Sequence, residues 1–168
     1  MEFEKVIKDR SATRKFSDRK VEKNILEKIL EAGRIAPTAK NLQPFKIYVV
    51  ESDEGLKKID KASPCRYGAP TVLLVCGDRK QAYVKNGNPI YVMDASIVTT
   101  HMMLEATNFG VDNIWVEMFD DDIIRDEFDI PENLVPVCLL PIGYKTEACP
   151  SSPFHEIRKS INELVEYK

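Results

Sequence analysis

Basic and hydroxyl side chains are concentrated in a short segment near the amino terminus, residues 10–16. The segment carries three cations and two hydroxyl groups: Arg10, Arg14, Lys15, Ser11 and Thr13. The planar guanidinium group of arginine can bind a phosphate through two parallel hydrogen bonds, and it does not lose its charge. The segment therefore predicts a site for a phosphate, although the same composition also fits a solvated basic loop.

A second polar segment, residues 36–45, combines turn-forming residues with two amide side chains directly before a hydrophobic stretch. The amides are Asn41 and Gln43. An amide both donates and accepts hydrogen bonds, which matches the alternating edge of a heteroaromatic ring. Taken alone, this segment indicates only a turn.

Common nucleotide-binding and hydrolase patterns are missing from the sequence. It contains no G-x-G-x-x-G, no G-x-x-x-x-G-K-S/T and no G-x-S-x-G. A dinucleotide-binding Rossmann site, a P-loop and a nucleophile elbow are therefore not supported. The available imidazole bases are His101 and His155. His101 lies in an apolar stretch, so we expect it to be a packed core histidine.

The cysteines form no metal-binding or redox pattern. They are widely separated, without a C-x-x-C pair: Cys65, Cys76, Cys138 and Cys149. Zinc sites gather their ligands at short spacings, and a thiol within an apolar run behaves as a small hydrophobe. We therefore expect four reduced thiols and no metal site.

Hydrophobic periodicity predicts interspersed helices and strands. Helices are predicted over residues 21–35, 91–109, 121–128 and 158–167. Strands are predicted over residues 45–50, 71–76, 113–118 and 134–143. This order favours an α/β or α+β arrangement of packed layers. Residues 91–109 are apolar on every side of the helix, which predicts either the centre of the domain or half of a subunit interface.

Composition and charge restrict the class of protein. The 168 residues fit one domain over residues 1–168, and 30% charged and 43% hydrophobic residues are close to the globular average. A net charge of −3 gives no general attraction to nucleic acid or acidic lipid. No stretch reaches the roughly 20 apolar residues that cross a bilayer, and no signal peptide is apparent. We therefore expect a cytoplasmic protein without a nucleic-acid or membrane partner.

Several short motifs, in matching order and spacing, resemble the nitroreductase family of FMN-dependent oxidoreductases. Those near the amino terminus are R-S-A-T-R-K-F from Arg10, E-A-G-R-I-A-P-T-A-K and N-L-Q-P-F. Further along the chain stand D-A-S-I, F-G-V-D-N, W-V-E-M, L-P-I-G-Y and the closing Arg158. The resemblance covers nearly the whole chain.

The resemblance implies a fold and an assembly. The fold would be α+β, a three-layer α/β/α structure with a mostly antiparallel central sheet. The assembly would be an intertwined homodimer that holds FMN at each of two shared interfaces. The apolar helix over residues 91–109 would then supply the central packing of the dimer.

The resemblance also assigns flavin contacts to individual residues. Arg10, Ser11 and Arg14 would contact the ribityl phosphate and the pyrimidine side of the ring. Arg158 would return to the phosphate, and Asn41 and Gln43 would bind polar groups of the flavin and ribityl chain.

Two positions of the predicted flavin site depart from the family pattern. Ala12 stands where relatives often have a hydroxyl residue, so Ser11 or the backbone would replace that contact. Met118 follows Glu117 where relatives commonly have a small residue, and its side chain would crowd the region beside flavin N5. The backbone N–H groups of Glu117 or Met118 could still approach N5.

The activity implied by the resemblance is a two-step hydride transfer. NADH or NADPH would reduce the flavin at N5, leave, and be replaced by a nitroaromatic, a quinone or a similar acceptor. Arg14 would stabilise the negative charge of the reduced ring, since a fixed cation favours the state that carries more negative charge. The alternatives are a specialised flavin reaction of the same fold, such as reductive dehalogenation or flavin destruction, and a non-catalytic FMN-binding or sensor protein.

Overall fold

The structure, a computed structural model, describes residues 2–150 and 152–168. Its strands are β1 (Phe45–Val50), β2 (Thr71–Asp78), β3 (Val84–Lys85), β4 (Asn88–Pro89), β5 (Asp112–Asn113) and β6 (Leu134–Gly143). The central sheet has the order β1-β2-β6-β5, with every neighbouring pair antiparallel. This arrangement confirms the predicted antiparallel sheet. Strands β3 and β4 form a separate small hairpin.

Helices cover both faces of the sheet. The α-helices of the described chain are α1 (Phe3–Asp9), α2 (Lys23–Arg34), α3 (Asp53–Ala62), α4 (Tyr91–Asn108), α5 (Asp121–Glu127) and α6 (Ile161–Leu164). Side chains of α2 and α4 pack on one face of the sheet, and side chains of α3 and α5 pack on the other. The predicted three-layer α+β fold is therefore confirmed.

Strand β2 is buried along its whole length, as its continuous apolar run predicts for a strand covered on both faces. Its pairing with β6 shifts register between Val75 and Cys76, and Cys76 then faces Pro136. Proline cannot donate a ladder hydrogen bond and is tolerated at bulges. The bulge explains how β6 includes a proline in the middle of the sheet.

Helix α4 packs tightly against α2 with one of its faces. A Cβ atom added to Gly33 would lie 2.8 Å from Cγ of Met102, so the missing side chain allows the two helices to approach. The opposite face leaves Val92, Met93 and Ile97 exposed. The chain by itself thus buries only part of α4, and the subunit interface on this helix stays a prediction.

The strand predicted over residues 113–118 is mostly wrong, because β5 ends at Asn113. The Ile114 N–H donates to the carbonyl of Pro141, but proline has no N–H to return the bond. The ladder is therefore interrupted, and only an isolated bridge between Val116 and Leu139 follows.

The helix predicted over residues 158–167 is also wrong in its extent. Helix α6 covers only Ile161–Leu164, begins with a capping box between Ser160 and Glu163, and has no buried residue. A helix this short needs tertiary packing to extend, and its side chains are exposed.

Helix α3 was not predicted, because its charged residues mask an apolar face that includes Leu56 and Ile59.

Across the described ranges, no helix has both the length and the apolar character of a membrane span.

Candidate active site

Arg10 and Arg158, which lie near opposite ends of the chain, are close enough in the fold for their charges to interact. Arg10 lies at the C-terminal end of α1, and its backbone N–H donates to the carbonyl of Val6. Burial is the main cause that lowers the pKa of Arg10, and the positive charge of Arg158 lowers it further. Two guanidinium groups that repel each other form a favourable place for an anion.

The Arg158 guanidinium is anchored to its own segment. Its Nη1 donates to the carbonyl of Ile157 at 2.7 Å and to that of Phe154 at 3.2 Å. A guanidinium group carries five N–H donors, so donors remain for a ligand after these two bonds. Because Arg158 is exposed, the anchored group can face solvent and a bound anion.

The segment between Arg10 and Arg14 is held against β5. The Thr13 N–H donates to the carbonyl of Asn113 at 3.1 Å, and Ala12 forms a parallel bridge with Asn113. The Asn113 side chain is buried and donates to the carbonyl of Met103. This segment is therefore fixed by the protein core and is not a free basic loop.

Successive side chains of this extended segment face different cavities. Ser11 lines a cavity of ≈ 400 Å³ together with Asp112 and Lys145. Ala12 and Arg14 line another of ≈ 390 Å³. Alternation is expected of an extended backbone. The structure thus places Ala12 with Arg14 and separates both from the Ser11 side chain.

Arg14 lies close enough to Tyr67 for its positive charge to act on the tyrosine hydroxyl. The pKa of Tyr67 is raised, mainly by the neighbouring Cys65 thiol and by burial, while Arg14 acts in the opposite direction. The sulfur of Cys65 lies 3.8 Å from Sδ of Met118. Tyr67 and Cys65 thereby connect two predicted site residues, Arg14 and Met118.

The Glu117–Met118 segment offers backbone donors to a ligand. Within the described part of the chain, no hydrogen bond is donated by the N–H of either residue. The carboxylate of Glu117 accepts from Trp115 Nε1 at 3.0 Å. Met118 is 67% exposed.

The loop that carries Asn41 and Gln43 has a strained backbone. Lys40, Asn41 and Gln43 have φ angles of 52°, 54° and 51°, in the left-handed region that residues other than glycine seldom adopt. Such conformations persist where surrounding contacts impose them, and they are common at ligand-binding sites.

Contacts to α4 and within the loop hold this conformation. The Ala39 N–H donates to Oδ1 of Asp94 at 2.8 Å, and the Gln43 N–H donates to the Thr38 hydroxyl at 3.0 Å. Asp94 is buried. Among the described residues, no hydrogen bond joins Asn41 or Gln43 to the arginine segment.

Three residues that contact the candidate site were not predicted as part of it: Ser63, Tyr67 and Asp94. The Ser63 hydroxyl donates to the carbonyl of Met118 at 2.6 Å. Asp94 lies in the D-A-S-I motif, and this motif could have indicated its importance. Nothing local in the sequence marks Ser63 or Tyr67, because their partners are distant along the chain.

The histidines and cysteines are placed as follows. The prediction that His101 is a core histidine is wrong: it is exposed on α4, with Nδ1 2.8 Å from the carbonyl oxygen of Ile97. A helical pattern does not show which face the domain covers. All four cysteines are free, as predicted. In residues 2–150 and 152–168, no cluster of three or more His, Cys, Asp or Glu side chains is arranged to hold a metal.

Comparison with known proteins gives a consistent result. Residues 7–66 and 62–144 match the sequence model of the nitroreductase family. A protein of Methanothermobacter thermautotrophicus named NADH dehydrogenase/NAD(P)H nitroreductase is 32% identical over 156 residues, which cover 88% of this chain and 79% of the relative.

Solved structures show the same fold. A nitroreductase family protein from Clostridium difficile is 43% identical, with a TM-score of 0.94 over 100% of this chain and 99% of the other. A nitroreductase from Exiguobacterium sibiricum, solved in complex with FMN, is 22% identical, with a TM-score of 0.88 over 100% and 98% of the two chains. At that identity the second likeness concerns the fold alone.

Proposed function

Since this chain belongs to the nitroreductase family, we propose that it is an FMN-dependent oxidoreductase. It takes a hydride from NADH or NADPH and passes it to a nitroaromatic, a quinone or a similar acceptor. The observation that carries the proposal is the packing of the carboxyl-terminal segment against α1, where His155 Nε2 lies 3.0 Å from the carbonyl oxygen of Lys8 and the charge of Arg158 acts on Arg10. The relatives are named for NAD(P)H-dependent nitroreductase and oxidoreductase activities, and one structural neighbour holds FMN.

The arginine pair fits the phosphate of FMN. A phosphate dianion would relieve the repulsion between Arg10 and Arg158 and accept hydrogen bonds from both guanidinium groups. Each such charge-assisted bond contributes about 1.5–3 kcal/mol. Losing one would therefore weaken FMN binding about 10- to 150-fold.

The donors on the other side of the site fit the flavin ring. The Glu117 and Met118 amides have no partner in the described chain, and oxidised flavin N5 accepts a hydrogen bond. Arg14, whose charge acts on Tyr67, would contact the pyrimidine side. Ala12 shares a cavity with Arg14 and would lie beside the ring, while Ser11 would contribute its backbone.

Bound FMN would supply the hydride chemistry, and the protein residues position and stabilise it. Arg14 would stabilise the reduced ring more than the oxidised ring, because the reduced ring carries more negative charge on its pyrimidine side. The amides of Glu117 and Met118 would orient the ring, and Arg10 and Arg158 would bind its phosphate. No acid–base triad is required.

We also propose that the site is shared between two copies of the chain. Within the described part of one chain, no hydrogen bond joins Asn41 or Gln43 to the arginine segment, and three apolar residues of α4 are exposed: Val92, Met93 and Ile97. Burial of these side chains against a second copy is favourable at about 25 cal/mol per Å². In this dimer the partner's Asn41 and the partner's Gln43 reach the flavin polar edge.

The proposed activity is tested with purified protein loaded with FMN. Under anaerobic conditions, NADH or NADPH should bleach the visible flavin band, and a quinone or nitroaromatic should restore it. Flavin that binds but is not reduced by either donor would indicate the FMN-binding or sensor alternative. Reduction without reoxidation by any of these acceptors would indicate a specialised flavin reaction.

A further inference from the structure

A buried serine holds the backbone carbonyl next to the proposed flavin-facing amide. Ser63 is 1% exposed and directly follows α3. Its hydroxyl donates to the carbonyl of Met118 at 2.6 Å and accepts from the Cys65 N–H at 3.1 Å. The neighbouring Ala62 carbonyl accepts from the Asp120 N–H at 2.9 Å. Two hydrogen bonds therefore fix the Met118 segment to the end of α3.

The hydrogen bond from Ser63 is the first in a chain of hydrogen bonds that includes two peptide groups. The Met118 carbonyl and the Phe119 N–H belong to one peptide group, and this N–H donates to the carbonyl of Glu117 at 3.1 Å. That carbonyl and the Met118 N–H belong to the next peptide group. A continuous path thus runs from the Ser63 hydroxyl to the Met118 N–H, which has no partner among the described residues.

We propose that Ser63 is a positioning residue that aims and strengthens the Met118 N–H as a hydrogen-bond donor. A peptide carbonyl that accepts a hydrogen bond polarises its own peptide group, so the attached N–H donates more strongly, and chains of such bonds reinforce one another. Ser63 begins the chain, and the two peptide groups transmit its effect. The inference rests on the proposed function for the identity of the acceptor, flavin N5.

The effect of Ser63 differs between the two redox states of the flavin. Oxidised N5 has a free lone pair and accepts a hydrogen bond, whereas reduced N5 carries a hydrogen. A stronger Met118 donor therefore favours the oxidised state. Loss of the Ser63 hydroxyl should weaken binding of oxidised FMN more than binding of reduced FMN, and it should raise the midpoint potential.

The first experiment needs no cofactor. In the amide NMR spectrum of the flavin-free protein, Ser63→Ala should move the amide protons of Phe119 and Met118 upfield, and Ser63→Thr should leave them near their original positions. Ser52→Ala is the matched control, because Ser52 caps the other end of α3 by accepting from the Gly55 N–H. Unchanged Phe119 and Met118 resonances in Ser63→Ala would overturn the relay.

The second experiment uses FMN-loaded protein. Loss of one net hydrogen bond corresponds to an affinity change of about 2- to 10-fold, so Ser63→Ala, which weakens the Met118 donor without removing it, should lose at most this much affinity for oxidised FMN. Its midpoint potential should rise, whereas that of Ser52→Ala should not change. If Ser63→Ala does not fold, Ser63→Cys, which keeps a weaker S–H donor, should give a smaller shift in the same direction.

The outcomes separate the two proposals. Wild-type protein that does not bind FMN would contradict the proposed function, while the amide shifts would still decide whether Ser63 acts on Met118. Wild-type protein that binds and reduces FMN, with an unchanged potential in Ser63→Ala or Ser63→Cys, would contradict the role of Ser63 alone.

Discussion

The positive charge of Arg158 acts on Arg10, although the two residues lie at opposite ends of the chain. Burial lowers the pKa of Arg10 first, and the neighbouring charge lowers it further. The repulsion between these two charges destabilises the chain when no anion is bound. A bound anion attracts both charges and relieves the repulsion. Phosphate binding should therefore be strongly linked to the position of the carboxyl-terminal segment.

Arg10→Ala and Arg158→Ala should each weaken FMN binding about 10- to 150-fold, because each removes a charge-assisted contact to the phosphate. Calorimetry or flavin fluorescence measures the affinity. Arg34→Ala is the control: Arg34 is exposed and bound to Glu31 on α2, so its loss should leave the affinity unchanged. Riboflavin, which lacks the phosphate, should bind wild type and both variants equally.

Arg14→Ala should lower the midpoint potential of bound flavin, because the guanidinium stabilises the negatively charged reduced ring more than the oxidised ring. Spectroelectrochemical titration measures the midpoint potential. Arg14→Lys is a second variant, which keeps the positive charge and loses the planar guanidinium group. The expected sign is opposite to that for Ser63→Ala. An unchanged potential in FMN-loaded Arg14→Ala would reject the assigned role.

The fold and part of the site could be predicted from the sequence, because their signals are local. The β2 run, the helical periodicity of α2 and the R-S-A-T-R-K-F segment are each contained in a few neighbouring residues. Ser63 could not be predicted as a site residue, since its partner Met118 is 55 positions away. The end of β5 depended on Pro141 in another strand, and the exposure of His101 depended on which face of α4 the domain covers.

Asp94→Ala should loosen the loop that carries Asn41 and Gln43. The variant removes the acceptor of the Ala39 N–H, and a hydrogen bond to a charged group contributes about 1.5–3 kcal/mol to stability. Thermal unfolding and amide exchange of residues 39–43 measure the effect. Asp94→Asn retains an acceptor oxygen and should be affected less. If the loop amides are equally protected from hydrogen exchange in wild type and in Asp94→Ala, other contacts impose the conformation of the loop.

The cysteines should divide into two classes of reactivity. Burial raises the pKa of Cys76 to about 12 and that of Cys138 to about 12, so both stay protonated and inaccessible in the folded protein. Cys65 and Cys149 are only partly covered. A thiol reagent at mildly alkaline pH should modify these two in native protein and all four after unfolding. Rapid native modification of Cys138 would contradict the packing.

The same thiols should make stability depend on alkaline pH. Their folded pKa values are raised, so the stability they contribute is present below the unfolded pKa of about 8.5. It is lost as the pH rises from there towards the folded pKa of about 12. Denaturant unfolding should show a decrease over this range that is smaller in Cys138→Ala than in wild type.

Two copies of this chain are proposed to hold FMN between them. Sedimentation velocity of the FMN-loaded protein, recorded at both the protein and the visible flavin absorption, distinguishes this dimer from a monomer. We expect one species with the mass of two chains, and flavin absorbance that sediments with it. A species with the mass of one chain, or flavin that remains behind as free ligand, would contradict it.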